Sequence, residues 1–522
     1  THLPCPSLVS TRGPDHGYSP KGDGTDYPTS WNGQTPFDAY YISSVLPASE
    51  AAQDLLENFL AIQAEGGEID GKPGLAGQRG RYQAAPLLAS LAWKLYEKTE
   101  DQNFLGEVFP KLHKFFWSWF SPEYDEDRDG LPQWKHILQT GFDDHPLFDA
   151  WHEWSLGVNI TQVHSPALEA MLYREAACLI KMAEQLERHD VLVLLHEQAA
   201  KLRQSIESTW QPRTGLYHYR DRATGLSLAG KVLVRQQGSG TISPKLKFEQ
   251  PIRLLIEVHT NSPGAKRPEI RIHQYSTKPA DEVVQSSDYQ WHNRGSVCTT
   301  KNVFSRLAKV LIRGLEEGDT VVISTLDFTT EDHTLFMPLW AGIPDEQHAQ
   351  TMIGRALRDA SRFHRPYGVP ACAAVPSTRP EAEAVSQAVH LPWNLFVGEG
   401  LLHYGYRSDA ARLVAHLMTG IIQNLKQNRA FYARYHAETG SGMGERNSLN
   451  GLAPVDLFLR ALGVEVLSAT RVKLEGANPF PWDVTVRYRG LKIIRGQEKT
   501  EVIFANGKSV TVTDIEPVTV TL

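Results

Sequence analysis

Helical spacing of apolar residues recurs from about residue 49 to residue 466 and is broken once, and this interrupted periodicity constrains the fold more than any other feature of the chain. "PASEAAQDLLENFLAIQAEGG" places Ser49 as an N-cap, sets Leu55, Leu56, Phe59 and Leu60 on one face, and stops at Gly-Gly. "YQAAPLLASLAWKLYEKT" and "NFLGEVFPKLHKFFWSWF" repeat the pattern, as do residues 165–187 and 190–210, so roughly five helices of about 15 residues or more are predicted in this half. The period returns in "DEQHAQTMIGRALRDASRF", "WNLFVGEGLLHYGY", "SDAARLVAHLMTGIIQNL" and "APVDLFLRALGV". Between them, from about Leu228 to Thr330, Val, Ile and Thr occur in short runs punctuated by Gly, Pro, Asn and Asp, the texture of an antiparallel sandwich.

The expected fold is therefore mainly α: roughly ten to twelve antiparallel helices closing as an (α/α)6 barrel of hairpins, with an inserted antiparallel β-domain and a short C-terminal β-tail. The predicted divisions are 1–228 for the first part of the barrel, 229–333 for the inserted sandwich-like domain, 334–466 for the second part, and 467–522 for the tail. An Asn-Gly hairpin turn is expected in the tail at Asn506 and Gly507. Residues 1–48, rich in Gly, Pro, Ser, Thr and aromatics, read as a loop-built segment covering a surface or lining a pocket. No sharp internal repeat is visible.

Charge narrows the ligand. With 53 basic and 60 acidic residues mixed along the chain, the net charge of -7 offers no phosphate-binding face, so nucleic acid is not an expected partner. The longest apolar runs fall short of the ~20 residues of a membrane span, so no membrane partner is expected either. Cys5, Cys178, Cys298 and Cys372 lie far apart, without the spacing of a zinc site or a disulfide framework. The chain begins at Thr1 with no visible targeting segment; a soluble, cytoplasmic location is favoured but the compartment stays open.

The densest candidate for chemistry is "WKHILQTGFDDHPLFDAWHEW", residues 134–154. It gathers Asp143, Asp144, His145 and Asp149 among aromatics just after a turn glycine. Flat ring faces stack on sugars while carboxylates hold hydroxyls and move protons, although Asp144 is equally suited to capping the next helix. Upstream, "YDEDRDGLPQW" carries Asp125, Asp127 and Asp129 before Gly130, which is half of a calcium loop; its twelfth position is His136 instead of glutamate. Either the loop is a solvated acidic turn, or a structural Ca²⁺ stiffens the approach to Asp143. The chemistry itself requires no cofactor.

"SWNGQTPFDAYY", "GFDDHP", "FMPLWAGIPDEQHAQ", "PYGVPA", "WNLFVGEGLLHYGY" and "FYARYHAETGSGMG" occur in the order expected for glycoside hydrolase family 63, and over both helical halves and the tail the chain resembles that family and the related trehalase-like clan. Processing α-glucosidase I and mannosylglycerate hydrolases belong to that group. The resemblance implies an inverting, exo-acting α-glycosidase whose substrates are α-glucosides or other small α-linked saccharides. It makes Asp143 the general acid. The family's general base is a glutamate in an aromatic-Glu-x-Tyr segment, and here that stretch reads Tyr432, Ala433, Arg434, Tyr435, so Ala433 holds the seat of the base. By the same resemblance Trp31, Gln34, Tyr40, Arg81, Trp134, Phe142, Asp144, Trp393, Asn394 and Tyr435 bind substrate.

An alanine there implies a base-deleted, inactive variant, or a base relocated to Glu438 or Glu445. An inverting disaccharide phosphorylase needs no base carboxylate, and Arg434 and His436 suit phosphate; a polysaccharide lyase or a non-catalytic sugar-binding protein on the same barrel are further readings. The inserted domain, with "KFEQPIRLLIEV" and "DYQWHNRG", is expected to shape one side of the cleft or to form a homo-oligomer contact.

Overall fold

The computed structural model describes residues 34–45, 49–73, 82–142, 145–151, 158–261, 268–292, 295–373 and 385–522. Its helices in chain order are α1 (Pro36–Ser43), α2 (Ser49–Ala61), α3 (Leu88–Thr99), α4 (Gln102–Ser118), α5 (Pro146–Trp151), α6 (Pro166–Gln185), α7 (Leu192–Ser208), α8 (Met337–Ala341), α9 (Glu346–Met352), α10 (Leu391–His403), α11 (Arg407–Asn428) and α12 (Val455–Leu462). The protein is thus helix-rich, with additional β-sheets.

Local chemistry fixes the boundaries. α1 starts at a capping box, in which the Thr35 hydroxyl accepts from the Asp38 amide and the Asp38 carboxylate from the Thr35 amide, with Pro36 at the first helical position. Asp101 caps α4 by accepting from the amides of Asn103 and Phe104. α2 begins at Ser49 itself, and α2 and α3 span 13 and 12 residues, shorter than the apolar spacing alone suggested. Pro86 disfavours helical backbone just before it, so α3 cannot start earlier at "YQAA". Beyond Met352 the expected continuous helix widens into a π-turn over Ile353–Leu357.

The helices pack pairwise over one apolar core to which α1–α7, α10, α11 and α12 all contribute. α6 and α7 form an antiparallel hairpin, and α3 and α4 lie against α6. The start of α3 is held by a neighbour: the buried Glu175 carboxylate of α6 accepts from the amides of Ala89 and Ser90 at 2.8 and 2.7 Å. Those amides have no partner within their own helix, so a carboxylate there replaces water.

A second core belongs to the strands between Val232 and Thr325. A five-stranded sheet, in the order Gln290–His292, Gly295–Leu307, Leu246–His259, Thr320–Thr325, Val232–Gln237, shares this core with a four-stranded one, in the order Gly240–Ile242, Lys309–Arg313, Glu269–His273, Glu282–Val284. All pairings are antiparallel. The sandwich is tied to the helical body by Arg253, 3% exposed, which donates to the Asp221 carboxylate and, within the sandwich, to the carbonyls of Thr300 and Lys301. Trp151 also donates to the Asp327 carbonyl at 2.7 Å.

After α12 the chain forms a three-stranded sheet (Val464–Ser468, Arg471–Leu474, Val518–Thr521) and a four-stranded meander (Val484–Tyr488, Leu491–Arg495, Thr500–Ile503, Ser509–Val512). Both contribute to the main core through residues such as Val472, Leu474, Ile493 and Val502. The last meander hairpin turns at Asn506-Gly507, where Gly507 has φ +84° and the Asn506 side chain accepts from the Lys508 amide. Cys178, Cys298 and Cys372 are buried free thiols. Among the described residues, no helix is long and apolar enough to cross a membrane.

Candidate functional site

A cavity of about 440 Å³, within the ~300–1,000 Å³ span usual for small-molecule sites, opens where distant parts of the chain meet. Its walls come from the cap of α1, the loops at 70–72 and 82–85, the turn at 138–142, the start of α10, and a three-stranded sheet (Ala388–His390, Tyr432–His436, Gly442–Arg446).

Its aromatic side is built on Trp393. The Phe142 ring stacks on it at 4.9 Å and 15°, and Phe37 lies at 5.1 Å and 33°. Behind them His333 stacks against both Phe142 and Trp393, at 5.0 and 5.2 Å. Burial lowers the pKa of His333 and of His145 to about 3, and that of His390 falls well below its ordinary value for the same reason, helped by Arg434 and His333. All three rings are therefore neutral near pH 7, and this side of the cavity is apolar and uncharged.

The rest of the wall is polar. Asp38, Asp70, Lys72, Gln83, Arg434, Glu445 and Asn450 line it. Two buried amide oxygens there, Gln83 Oε1 and Asn450 Oδ1, have no hydrogen-bond partner among the described residues. Their orientations are set by the other half of each amide: Gln83 Nε2 donates to the Ser118 hydroxyl at 2.9 Å and Asn450 Nδ2 to the Asp38 carboxylate. A buried, unmet acceptor costs about 1–3 kcal/mol, so a ligand rich in hydroxyl donors suits this wall.

Of the residues singled out in the sequence, Phe142, Trp393, Ala433, Arg434 and Glu445 line this cavity, together with Gly141, two positions before Asp143. Ala433 presents its methyl group from the strand Tyr432–His436, half-buried. Trp31, Arg81, Asp143 and Asp144 lie outside the described residues.

The remaining candidates are committed elsewhere. Gln34 is buried and bridges the Leu55 carbonyl and the Asn58 side chain. Tyr40 donates to Glu399 at 2.7 Å. Trp134 packs edge-on against Trp119 at 5.7 Å. Asn394 holds the Val369 amide and carbonyl at 2.8 and 3.0 Å. Tyr435 donates to the Gly451 carbonyl and accepts from the Tyr432 amide, both at 3.1 Å. None of these five side chains lines the cavity. Each has found a partner within the protein, a role that residue type alone does not separate from ligand contact.

Sequence reading passed over Asp38, Asp70, Lys72, Gln83 and Asn450. Asp38 carries a capping-box signature that explains it without a ligand, and the others stand on loops with no periodic signal.

The acidic loop brings oxygens of Asp125, Asp127 and Asp129 within 4.8 Å of one another. Asp125 accepts from the amides of Asp129 and Gly130, Asp129 from Leu131, and Asp127 pairs with Arg222. Burial raises the Asp125 pKa, opposed by the Gly130 amide and reinforced by Asp129 and Asp127. His136 turns away: its Nδ1 accepts from the Leu138 amide and its ring stacks on Tyr82 at 3.8 Å.

Residues 27–239 match the mannosylglycerate hydrolase MGH1-like glycoside hydrolase domain. No curated protein matches the chain in sequence. A GH63 mannosylglycerate hydrolase from Thermus thermophilus, solved in complex with glucose, superimposes with a TM-score of 0.52 at 18% identity, covering 86% of this chain and 97% of that one. Its complex with Tris gives 0.53 at 17%, covering 83% and 94%. An uncharacterized conserved protein from the same organism gives 0.52 at 16%, covering 87% and 100%. At such identities the likeness establishes a shared fold.

Proposed function

We propose, on the premise that this chain is a relative of glycoside hydrolase family 63 and the trehalase-like clan, that its cavity is the saccharide site of an inverting, exo-acting α-glycosidase for a small α-linked sugar such as an α-glucoside. The helices then close as an (α/α)6 barrel with the cavity at one end, and the sandwich is an insertion between its halves. The observation that carries the reading is that Ala433, at the family's base seat, lines one cavity with Phe142, the neighbour of Asp143, and with the Trp393 platform.

In this reading Asp143 protonates the leaving glycosidic oxygen, the sugar ring lies on the aromatic side, and its hydroxyls donate to Gln83 and Asn450. A second carboxylate ~6.5–9.5 Å from the acid would activate water. With a methyl group at position 433 that seat is empty, and turnover by the family's own base is lost while the cleft persists. No cofactor takes part. Ca²⁺ at Asp125, Asp127 and Asp129 would brace the loop ahead of Asp143, after displacing Arg222 from Asp127.

The test is Ala433→Glu, assayed on α-linked disaccharides and aryl α-glucosides beside calorimetric binding to the unaltered chain. A positioned base contributes about 10²- to 10⁴-fold, so the variant should gain hydrolysis by that order wherever no other carboxylate of the cavity serves as base. Absence of both binding and gain would overturn the reading. A phosphorylase is the second reading, favoured by Lys72 and Arg434 on the cavity wall; His436 does not support it, since its Nδ1 accepts from the Glu438 amide and it does not line the cavity. Phosphate-dependent release of a sugar phosphate would select it.

A further inference from the structure

The hairpin that carries Ala433 is irregular at that residue. Tyr432 pairs with Arg446 and Arg434 with Met443, so Ala433 alone faces two residues, Gly444 and Glu445. This is the two-against-one count of a β-bulge. Its first residue, Gly444, has φ +72°, a left-handed conformation that glycine adopts without the steric cost a side chain would bring. A Cβ built on Gly444 would sit 3.7 Å from the Ala433 methyl and 3.4 Å from the Arg434 guanidinium, so the two strands touch here. The extra residue shifts the alternation of side chains, and Glu445 joins Ala433 on the cavity wall.

We propose that Glu445 supplies the base that position 433 lacks. The inference rests on the saccharide reading of the cavity. Among the described residues three acidic side chains line that cavity, and two are already engaged. Asp38 accepts from the Thr35 amide and the Asn450 side chain, and Asp70 from the Lys72 amide. Glu445 makes no hydrogen bond among the described residues. It stands on the exposed part of its strand, and partial burial raises its pKa, with Lys72 pulling the other way.

The step is balanced. Glu445 takes one proton from a water molecule, the water oxygen forms a bond to the anomeric carbon from the face opposite the aglycone, and the bond to the leaving oxygen breaks as that oxygen receives a proton from the general acid. Free sugar and alcohol leave, and the two carboxyls exchange one proton with solvent to return to their starting states. An α-glucosyl fluoride dispenses with the acid, because fluoride leaves unprotonated, so it isolates the base.

The experiment measures fluoride release and the anomer of the glucose formed, for the unaltered chain, Glu445→Gln, Ala433→Glu and the double variant. The expected result is β-glucose from the unaltered chain, a kcat about 10²- to 10⁴-fold lower in Glu445→Gln with KM changed less than about threefold, and loss of the acidic limb of its pH profile. Asp38, Asp70, Lys72, Arg434 and His390 face the same space, and that limb is assigned to Glu445 only because it disappears with the carboxyl. The double variant should release fluoride as fast as Ala433→Glu, which shows that the fold and cleft survive the change at 445. Equal rates for the unaltered chain and Glu445→Gln, or turnover by Ala433→Glu alone, would overturn the proposal and leave the saccharide reading standing. No release and no glucoside binding by any form would overturn both.

Discussion

Gln83 shows what a single cavity residue can be asked to do. Its Nε2 is spent on Ser118 and its Oε1 is left unmet in a buried wall. Gln83→Leu should therefore weaken saccharide binding about tenfold in calorimetry, the worth of one hydrogen bond, while shifting the unfolding free energy by less than about 1 kcal/mol, because an orphan acceptor disappears along with the Ser118 contact. Residue identity in the sequence was informative where chemistry leaves few options. Phe142 and Trp393 reach the cavity, and so does the alanine in an aromatic-x-x-aromatic stretch. It was uninformative for Tyr40, Asn394 and Tyr435, because a buried hydroxyl or amide needs a partner whether or not a ligand is near, and only the fold reveals which partner it found.

At the scale of elements, α10 is anchored by one carboxylate. Glu399, 6% exposed, accepts from Tyr40 of α1, Lys94 of α3, Trp340 of α8 and Arg460 of α12, at 2.7, 2.8, 2.9 and 3.1 Å. Burial alone would raise its pKa, but Lys94 and Arg460, with hydrogen bonds from Lys94 and Tyr40, hold it far below the ordinary carboxylate range. A group depressed in the folded state stabilises fully above its unfolded value of ~4.3 and loses that contribution as pH falls toward the folded value. Acid unfolding followed by circular dichroism should steepen below about pH 4, and Glu399→Gln should remove this steepening. The same variant should cost about 3–5 kcal/mol at pH 7, since it removes the buried counter-charge nearest to Lys94 and Arg460 and leaves them Asp456, 3.7 Å from Lys94. The bulged hairpin depends on an equally tight contact: a Cβ on Gly451 would fall 1.9 Å from the Tyr432 carbonyl oxygen. Gly451→Ala should lower the melting temperature and displace Ala433, visible as lost sugar binding in any Ala433→Glu background. Helical periodicity located α6, α7 and α11 closely, because each buries a long apolar face, and α10 by its apolar run, which is buried on every side from Leu391 to Leu401. Periodicity says nothing of a bulge, which is set by the pairing of two strands.

At the scale of the molecule, the sandwich has its own core and meets the helical body, among the described residues, through Leu255 and Val297, which join the main core, and through buried polar contacts, Arg253 with Asp221 foremost. Arg253→Met leaves Asp221 without its buried counter-charge, although the Ala223 and Thr224 amides still donate to it. The variant should cost about 3–5 kcal/mol and split one calorimetric unfolding transition into two. Composition change along the chain pointed to a strand-rich stretch here; the contacts that fasten it were invisible, because they join residues far apart in sequence. The cavity has the same long-range character. Its lining is drawn from residues 35–38, 70–85, 138–142, 390–393 and 433–450, so it exists only when the first and last thirds of the helical body are folded together. Occupancy by a sugar would thus stabilise both thirds in concert by RT ln(1 + [L]/Kd) and raise their melting point together, while leaving the sandwich transition where it was. Two separately expressed halves would each bind nothing, and adding the ligand would promote their reassembly.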